Sequence, residues 1–483
     1  MNSIQRDFRS LSLDTSLFRK VYIMLISFEM IAFLDVISLV CKSIVLIWGL
    51  FILIHNFFIQ KIAFKIRYKY LLWSFLILMI ITSVVHMSIW FIPNLVITYF
   101  TAICFFVFYG MYKEKNHEDL EKEMVFILKF FVNFSLIFGT LSLISLFLGQ
   151  DSSYLGYYLG IFKNRLIGVY TNSNILAFSM IEGIVSCDIL SDLYIKNKFK
   201  SDKLPSWKLI VCPIVNCLCL FLSDSNASFV FLIIYWTIRV FCNLFFKCQF
   251  QYTIKLFRSI LMTFGFCLLM MSASFALRDC CQNFINIVIT DVYKLESSSR
   301  KSEENLKESS KNNTKNNSVS SENTSDFHIG REHYEVSSGR ITLFKQGLKI
   351  FKHHPWIGIG RANLKTYGKK YIKGGLIHPD LHNGYLTILV SCGIIGFLIF
   401  AVFSFLVSLD ICKYIFICLG QNNFGVFCKL FSALVSYCGY CLFEKAILFD
   451  MTFMVGFFWS ILGYTISYIH SVESLTPNKY LKT

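Results

Sequence analysis

The sequence predicts an all-α polytopic membrane protein: about 12 transmembrane helices and one large extracytoplasmic loop that contains amphipathic helices. Three observations carry this reading. Hydrophobic residues make up 55% of the 483 positions and charged residues only 16%, whereas a soluble protein has about 45–50% and about 25%. Twelve apolar runs approach or reach the roughly 20 residues that cross a bilayer. The cationic residues then sort themselves by membrane side. Together these exclude a soluble enzyme, a disordered chain and a fibrous one. They also remove nucleic acid as a partner, because the net charge of +16 is spread as topology signals and a loop rather than as one binding stripe.

The runs fall at 21–40, 43–59, 70–90, 94–112, 124–148, 166–190, 208–223, 226–246, 259–277, 385–409, 425–443 and 449–469. The run at 208–223 is short, and its pairing with 226–246 is the least marked. The first 20 residues are polar and the first run is long enough to span, so no cleavable signal peptide is expected. With the N-terminus inside, the inner segments hold 22 Lys and Arg, and the short outer turns hold four, Lys42, Lys163, Arg165 and Lys445. This asymmetry places both termini in the cytoplasm. The chain then divides into an N-terminal transmembrane bundle of about nine helices (1–277), a large extracytoplasmic loop (278–384), and about three C-terminal helices with a short cytoplasmic tail (385–483). The loop carries 17 cations, and loops of that length cross regardless of charge. Most of the 17 Cys lie in or near spans, where Cys acts as a small apolar residue, so no disulfide framework is expected. Of the intramembrane carboxylates, Glu29 and Asp35 read as structural ion-pair members, with Lys42 for Asp35. Glu444 and Asp450 flank the last outer turn.

The loop has two parts. Residues 296–326 are rich in Ser, Asn, Lys and Glu, lack a period, and read as a disordered insert. Residues 337–384 begin with an amphipathic helix whose apolar face is Ile341, Leu343, Phe344, Leu348, Ile350 and Phe351, capped by Ser337 or Ser338. Arg340 falls on the apolar side, away from Lys345, Lys349 and Lys352. A cation there either sits at the edge of a surface helix or meets a partner or ligand. Pro355 ends the helix, and Gly358 and Gly360 permit a tight turn. The loop closes on His378-Pro379-Asp380-Leu381-His382-Asn383-Gly384, which places His382 at the mouth of the bundle. His378, Asp380 and His382 form a weak metal set, with no zinc-type ligand pattern around them.

The order Ser338-Gly339-Arg340, amphipathic helix, His354-Pro-Trp-Ile-Gly-Ile-Gly360, His382-Asn383-Gly384-Tyr385 and Gly393-Ile394-Ile395-Gly396 resembles the O-antigen polymerase/ligase family. So does Arg165-Leu-Ile-Gly168-Val-Tyr-Thr-Asn172-Ser-Asn174. The resemblance implies a metal-independent, GT-C-like glycosyltransferase without a cofactor. Its donor would be a glycan on undecaprenyl pyrophosphate, at the outer leaflet of a bacterial cytoplasmic membrane. The acceptor would be a second lipid-linked repeat unit (polymerase) or a lipid A core (ligase), and a chain-length regulator would be a partner. Arginine grips pyrophosphate bidentately and keeps its proton; a histidine suits deprotonation of a hydroxyl. The catalytic candidates are therefore His382 and Arg340. Candidates for binding pyrophosphate or sugar are Arg165, Asn172, Arg361, His378 and Asn383. Asn172, seven residues from Arg165, would share its helical face, although a helix–helix hydrogen bond is an equal reading. Asn383 either orients His382 or caps a helix. One departure stands out. Where the family often has a Ser-Arg pair, Asn226 follows Ser225, so Arg361, Arg331 or Lys163 would have to supply a second cation. A transporter or flippase of lipid-linked oligosaccharides is the rival of another class.

Overall fold

The computed structural model describes residues 13–148, 153–154, 156–195, 203–247, 252–308, 329, 339–417 and 424–475. The helices, in chain order, are α1 (Thr15–Phe28), α2 (Asp35–Ile54), α3 (Lys69–Val85), α4 (Phe91–Ile103), α5 (His117–Ile144), α6 (Ser173–Ile195), α7 (Ser206–Ser223), α8 (Asn226–Lys247) and α9 (Tyr252–Glu308). They continue with α10 (Arg340–His353), α11 (Leu364–Tyr371), α12 (Gly384–Ile417), α13 (Phe424–Tyr440) and α14 (Phe453–Leu475). Two small hairpins interrupt them: β1 (Ser153–Tyr154) with β2 (Tyr157–Tyr158), and β3 (Gly160–Phe162) with β4 (Arg165–Gly168). Nine helical stretches among the described residues are long and apolar enough to cross a membrane. Lys69–Val85 and Phe424–Tyr440 are shorter apolar helices. The all-α polytopic class therefore holds, and the protein is a multi-pass membrane protein.

Several boundaries move, each for a backbone reason. The run at 21–40 is not one helix: α1 stops at Phe28 and α2 starts at Asp35. Between them Ile31 bridges Tyr170, Ala32 N donates to Val169 O (3.0 Å) and Thr171 N to Met30 O (3.1 Å). These bonds satisfy the backbone groups that the break exposes. Lys42 pairs with Glu29 at 2.6 Å; the side chain of Asp35 lies outside the described residues. The run at 166–190 begins as strand β4, and its helix starts only at Ser173. Helix α9 extends to Glu308, into the segment read as a disordered insert. A helix already nucleated in an apolar run elongates at little cost. Residues 309–328 lie outside the described residues.

The glycine motifs have a structural cause. Helix α12 is broken at Gly393 (φ +66°, ψ −173°). The stretch 355–360 lies against the break: Ile394 N donates to Pro355 O (2.7 Å) and Gly360 N to Ser391 O (2.9 Å). A Cβ on Gly393 would stand 2.2 Å from Trp356 O, and one on Gly358 2.4 Å from Ser391 C. Only glycine permits that approach, and the inserted chain satisfies the freed backbone of the helix. Helix α10 packs on this region through Leu343, Gly347 and Ile350, a narrower face than the sequence suggests. Ile341 and Leu348 are exposed, because α10 lies on the surface and touches α12 along one side only. Gly339 occupies its N-cap position; Ser337 and Ser338 lie outside the described residues.

At the other end of the bundle, Arg19 of α1 is fully buried. It meets Glu123 of α5 at 2.7 Å and Glu114 at 2.8 Å. Thr15, Asn56 and Tyr464 complete this cluster by donating to the same two carboxylates. Along α5, Glu123 is nineteen residues before Ser142, whose hydroxyl accepts from Val169 N beside the β3–β4 hairpin. Nineteen rises of about 1.5 Å give roughly 29 Å, close to the hydrocarbon thickness of a bilayer.

Candidate active site

The hairpin end of the bundle holds a cavity of about 220 Å³ lined by Arg165, Asn174, Ser225, Asn226, Ala227, Arg340 and His382. Arg165, Asn174, Arg340 and His382 each arrive from a different part of the chain, and Ser225, Asn226 and Ala227 form one run at the start of α8. Strand β4 positions Arg165, which donates from Nε to Ser223 O (2.8 Å) at the end of α7 and from Nη2 to Asn174 Oδ1 (2.8 Å). Gly168 closes the hairpin at φ +61°, against Ser142, where a Cβ would approach to 2.1 Å. Arg340 opens α10. His382 stands just before α12 with φ +46°, a left-handed backbone that non-glycine residues adopt uncommonly.

The centre of the cluster is Glu444, in the turn after α13. Its Oε2 accepts from His382 Nδ1 (2.9 Å), and its Oε1 accepts from Arg340 Nη2 (3.2 Å) and Asn174 Nδ2 (3.2 Å). A carboxylate can only accept, so the neutral imidazole keeps its lone pair on Nε2. Arg340 also lies over the Phe443 ring at 5.8 Å. The described lining thus has two guanidiniums and an imidazole and no carboxylate of its own, with Glu444 set behind it. Such a site favours a multiply charged anion.

A larger chamber of about 590 Å³ shares Arg165, Asn174 and His382 with the first, and extends along Tyr157, Tyr158 and Phe162 of the hairpins, Asn172 and His378. His378 packs its ring 4.3 Å from that of His382, and its Nδ1 accepts from Asp380 N (3.2 Å). Burial, and then the neighbouring His382, hold the His378 imidazole below its usual pKa.

The structure brings together five of the seven residues that the sequence nominates: Arg165, Asn172, Arg340, His378 and His382. Two go elsewhere. Arg361 pairs with Asp380, which also takes Lys445 at 2.7 Å. Burial raises the Asp380 carboxyl, but Arg361 and Lys445 outweigh it and hold it below the usual carboxylate range. Asn383 caps α12 by accepting from Leu386 N (2.8 Å) and donates to Leu442 O (3.0 Å), so its capping reading is the one realised. Asn172 does not share a helical face with Arg165: it caps α6 by accepting from Asn174 N (2.8 Å), while Arg165 is on a strand. Among the described residues a cation that the sequence reading did not name meets Asn226. It is Arg278 of α9, at 3.3 Å, buried and paired with Asp224 at 3.1 Å; Arg331 lies outside the described residues. Among the described residues no group of three or more His, Cys, Asp and Glu is placed to hold a metal ion. Sequence reasoning gives Asn174 no role of its own, and it offers Glu444 as a cavity-lining residue on position alone. No local pattern connects Glu444 to His382, 62 residues earlier.

The fold and site define a polytopic membrane protein with a cavity at one end of its bundle that is lined by two arginines and a histidine. The family model described as O-antigen ligase matches residues 211–401, a stretch that holds Arg278, Arg340, Arg361 and His382 but neither Arg165 nor Glu444. The chain is thus similar to the O-antigen polymerase/ligase family, as its loop motifs suggest. The match supports an O-antigen polymerase or ligase in general, with glycosyltransferase-like activity on lipid-linked polysaccharide in a membrane. No curated protein matches the chain.

Proposed function

We propose that the chain is a polysaccharide polymerase. It joins undecaprenyl-pyrophosphate-linked oligosaccharide repeat units into capsular polysaccharide or O-antigen, without a metal or other cofactor. The site faces the outer side of a bacterial cytoplasmic membrane, both termini are cytoplasmic, and a chain-length regulator is a partner. One observation carries this reading: two arginines from distant elements converge on a cavity with a histidine whose Nδ1 is held by a carboxylate.

Arg340 and Arg165 grip the pyrophosphate of the donor, where negative charge grows as the glycosidic C–O bond breaks. Nε2 of His382 takes the acceptor hydroxyl proton as that oxygen forms its bond to the anomeric carbon. The bonding pair of the broken bond leaves with undecaprenyl pyrophosphate. Glu444 fixes the imidazole tautomer and stabilises the imidazolium that forms. A second reading, transfer of finished polymer to a lipid A core, draws support from the description of the matched family.

Purified protein in lipid nanodiscs, given lipid-linked repeat units, should yield ladders of polymer. Transfer to an added lipid A core without self-polymerisation would replace the polymerase reading by the ligase one. Long-chain polymer made in cells by both Arg340→Ala and His382→Ala would leave a flippase or transporter as the better account.

A further inference from the structure

The β-hairpin wall of the larger chamber has no part in the steps above. Tyr158 and Phe162 stack with ring centroids 4.1 Å apart and planes 28° from parallel. Tyr158 is nevertheless exposed and Phe162 half-buried. Both line the same 590 Å³ chamber as Asn172 and Thr171. The turn that carries Phe162 to Arg165 holds Lys163 and Asn164 at φ +50° and +58°, the pattern of a tight two-residue hairpin whose twist matches its strands. Phe162 and Arg165 are register partners across it. Phe162 and Arg165 are thus joined by one short hairpin, and Tyr158 of the other hairpin stacks on Phe162.

We propose that this wall is a saccharide subsite. Tyr158 and Phe162 offer a π face to a pyranose ring of the lipid-linked glycan, and Asn172 and Thr171 meet its hydroxyls. The inference rests on the glycosyltransferase reading above. A pyranose has a face of polarised C–H bonds and a rim of hydroxyls. The negative face of an aromatic ring attracts the first, and amides and hydroxyls pair with the second. The wall joins both kinds of group in one chamber. Its volume falls within the roughly 300–1,000 Å³ of small-molecule sites, and it shares Arg165, Asn174 and His382 with the smaller cavity. A sugar held here lies next to the group that would take or release its proton. The competing account is an interfacial anchor, since Tyr is enriched where membrane meets water.

The test uses the full chain in nanodiscs and three probes: undecaprenyl-pyrophosphate-linked oligosaccharide, undecaprenyl pyrophosphate without sugar, and the released free oligosaccharide. In Tyr158→Ala/Phe162→Ala, KM for the lipid-linked oligosaccharide should rise at least tenfold, and binding of free oligosaccharide seen by saturation-transfer NMR should vanish. Affinity for bare undecaprenyl pyrophosphate should stay unchanged. Tyr158→Trp should restore saccharide binding, and Tyr158→Leu, which keeps apolar bulk, should not. Unchanged KM and unchanged oligosaccharide binding would overturn the subsite. So would equal recovery by the Leu and Trp variants, which fits an anchor. The enzymatic reading fails separately, if His382→Ala and Arg340→Ala keep full transfer; oligosaccharide binding by NMR still judges the subsite in that case.

Discussion

The two ends of the bundle solve the same electrostatic problem in opposite ways. At one end Arg19 is fully buried and faces two glutamates, and hydroxyl and amide donors from other elements occupy the same carboxylates. At the other end Arg340 and His382 share a single glutamate beside open volume, and Arg165 reaches the same cavity bonded to Ser223 O and Asn174. Arg19, Glu114 and Glu123 are at most 3% exposed, whereas Arg340 and His382 are 18% and 25% exposed. A closed, acid-rich cluster is an internal strut; removing one partner strands charge in the bilayer. An open cluster in which Arg340 and His382 share one carboxylate beside a cavity leaves both groups accessible from that cavity. Charge balance and access, rather than the mere presence of arginine in a membrane protein, separate the strut from the site.

The largest effect should come from breaking the strut. Arg19→Ala leaves Glu114 and Glu123 without their cation, a loss of about 3–5 kcal/mol for a buried pair. The variant should be recovered from membranes in much lower yield, and its unfolding midpoint in detergent should fall steeply. Arg340→Ala should leave that midpoint nearly unchanged while abolishing polymer. If both variants lose stability alike, the distinction between the two ends collapses.

His382→Ala should come next, with transfer slowed by about 10²–10⁴-fold, the range for loss of a general base, and with the chain still folded. Single-turnover assays with lipid-linked repeat units would measure it. Glu444→Gln preserves shape and removes charge. Charge-assisted hydrogen bonds contribute about 1.5–3 kcal/mol, so transfer should slow by roughly 10–100-fold. A rate equal to wild type would show that His382 and Arg340 are positioned without Glu444.

Much of this was legible in the sequence, and the part that was not has a common cause. Hydropathy marked the helical class because a bilayer requires long apolar runs. Arg340 stood out because it breaks an amphipathic pattern, and His382 because it abuts a span. Both are local signals. The break at 29–34 was hidden because its backbone is satisfied by residues 169–171, a partner nearly 140 positions away. Arg165 was placed on a helix because β4 is only four residues long, too short to show alternation. Glu444 and Arg278 gain their meaning only from pairs across the bundle. Gly358 and Gly393 were visible as motifs, yet their cause, one backbone seated in the break of another, is a tertiary fact.

The smallest effect concerns pH at the site end. His378 sits beside the site with its pKa held below the usual value by burial and by His382. The unfolded chain therefore binds more protons there, and stability rises with pH. The contribution is intact above the unfolded value of about 6.5 and is lost as pH falls from there toward the folded pKa. Asp380, also lowered, has the same sign in a more acidic window: its contribution is present above the unfolded value of about 3.9 and is lost only as pH falls below that toward its folded pKa. Between pH 7 and 5, then, Asp380 adds no slope and His378 does. The unfolding midpoint of the wild type should fall over that range, and His378→Asn should flatten part of the fall. The strut, built on one arginine and two glutamates, contributes no imidazole of its own to that slope. An identical slope in His378→Asn and the wild type would mean that the histidine pair beside the site is not linked to folding.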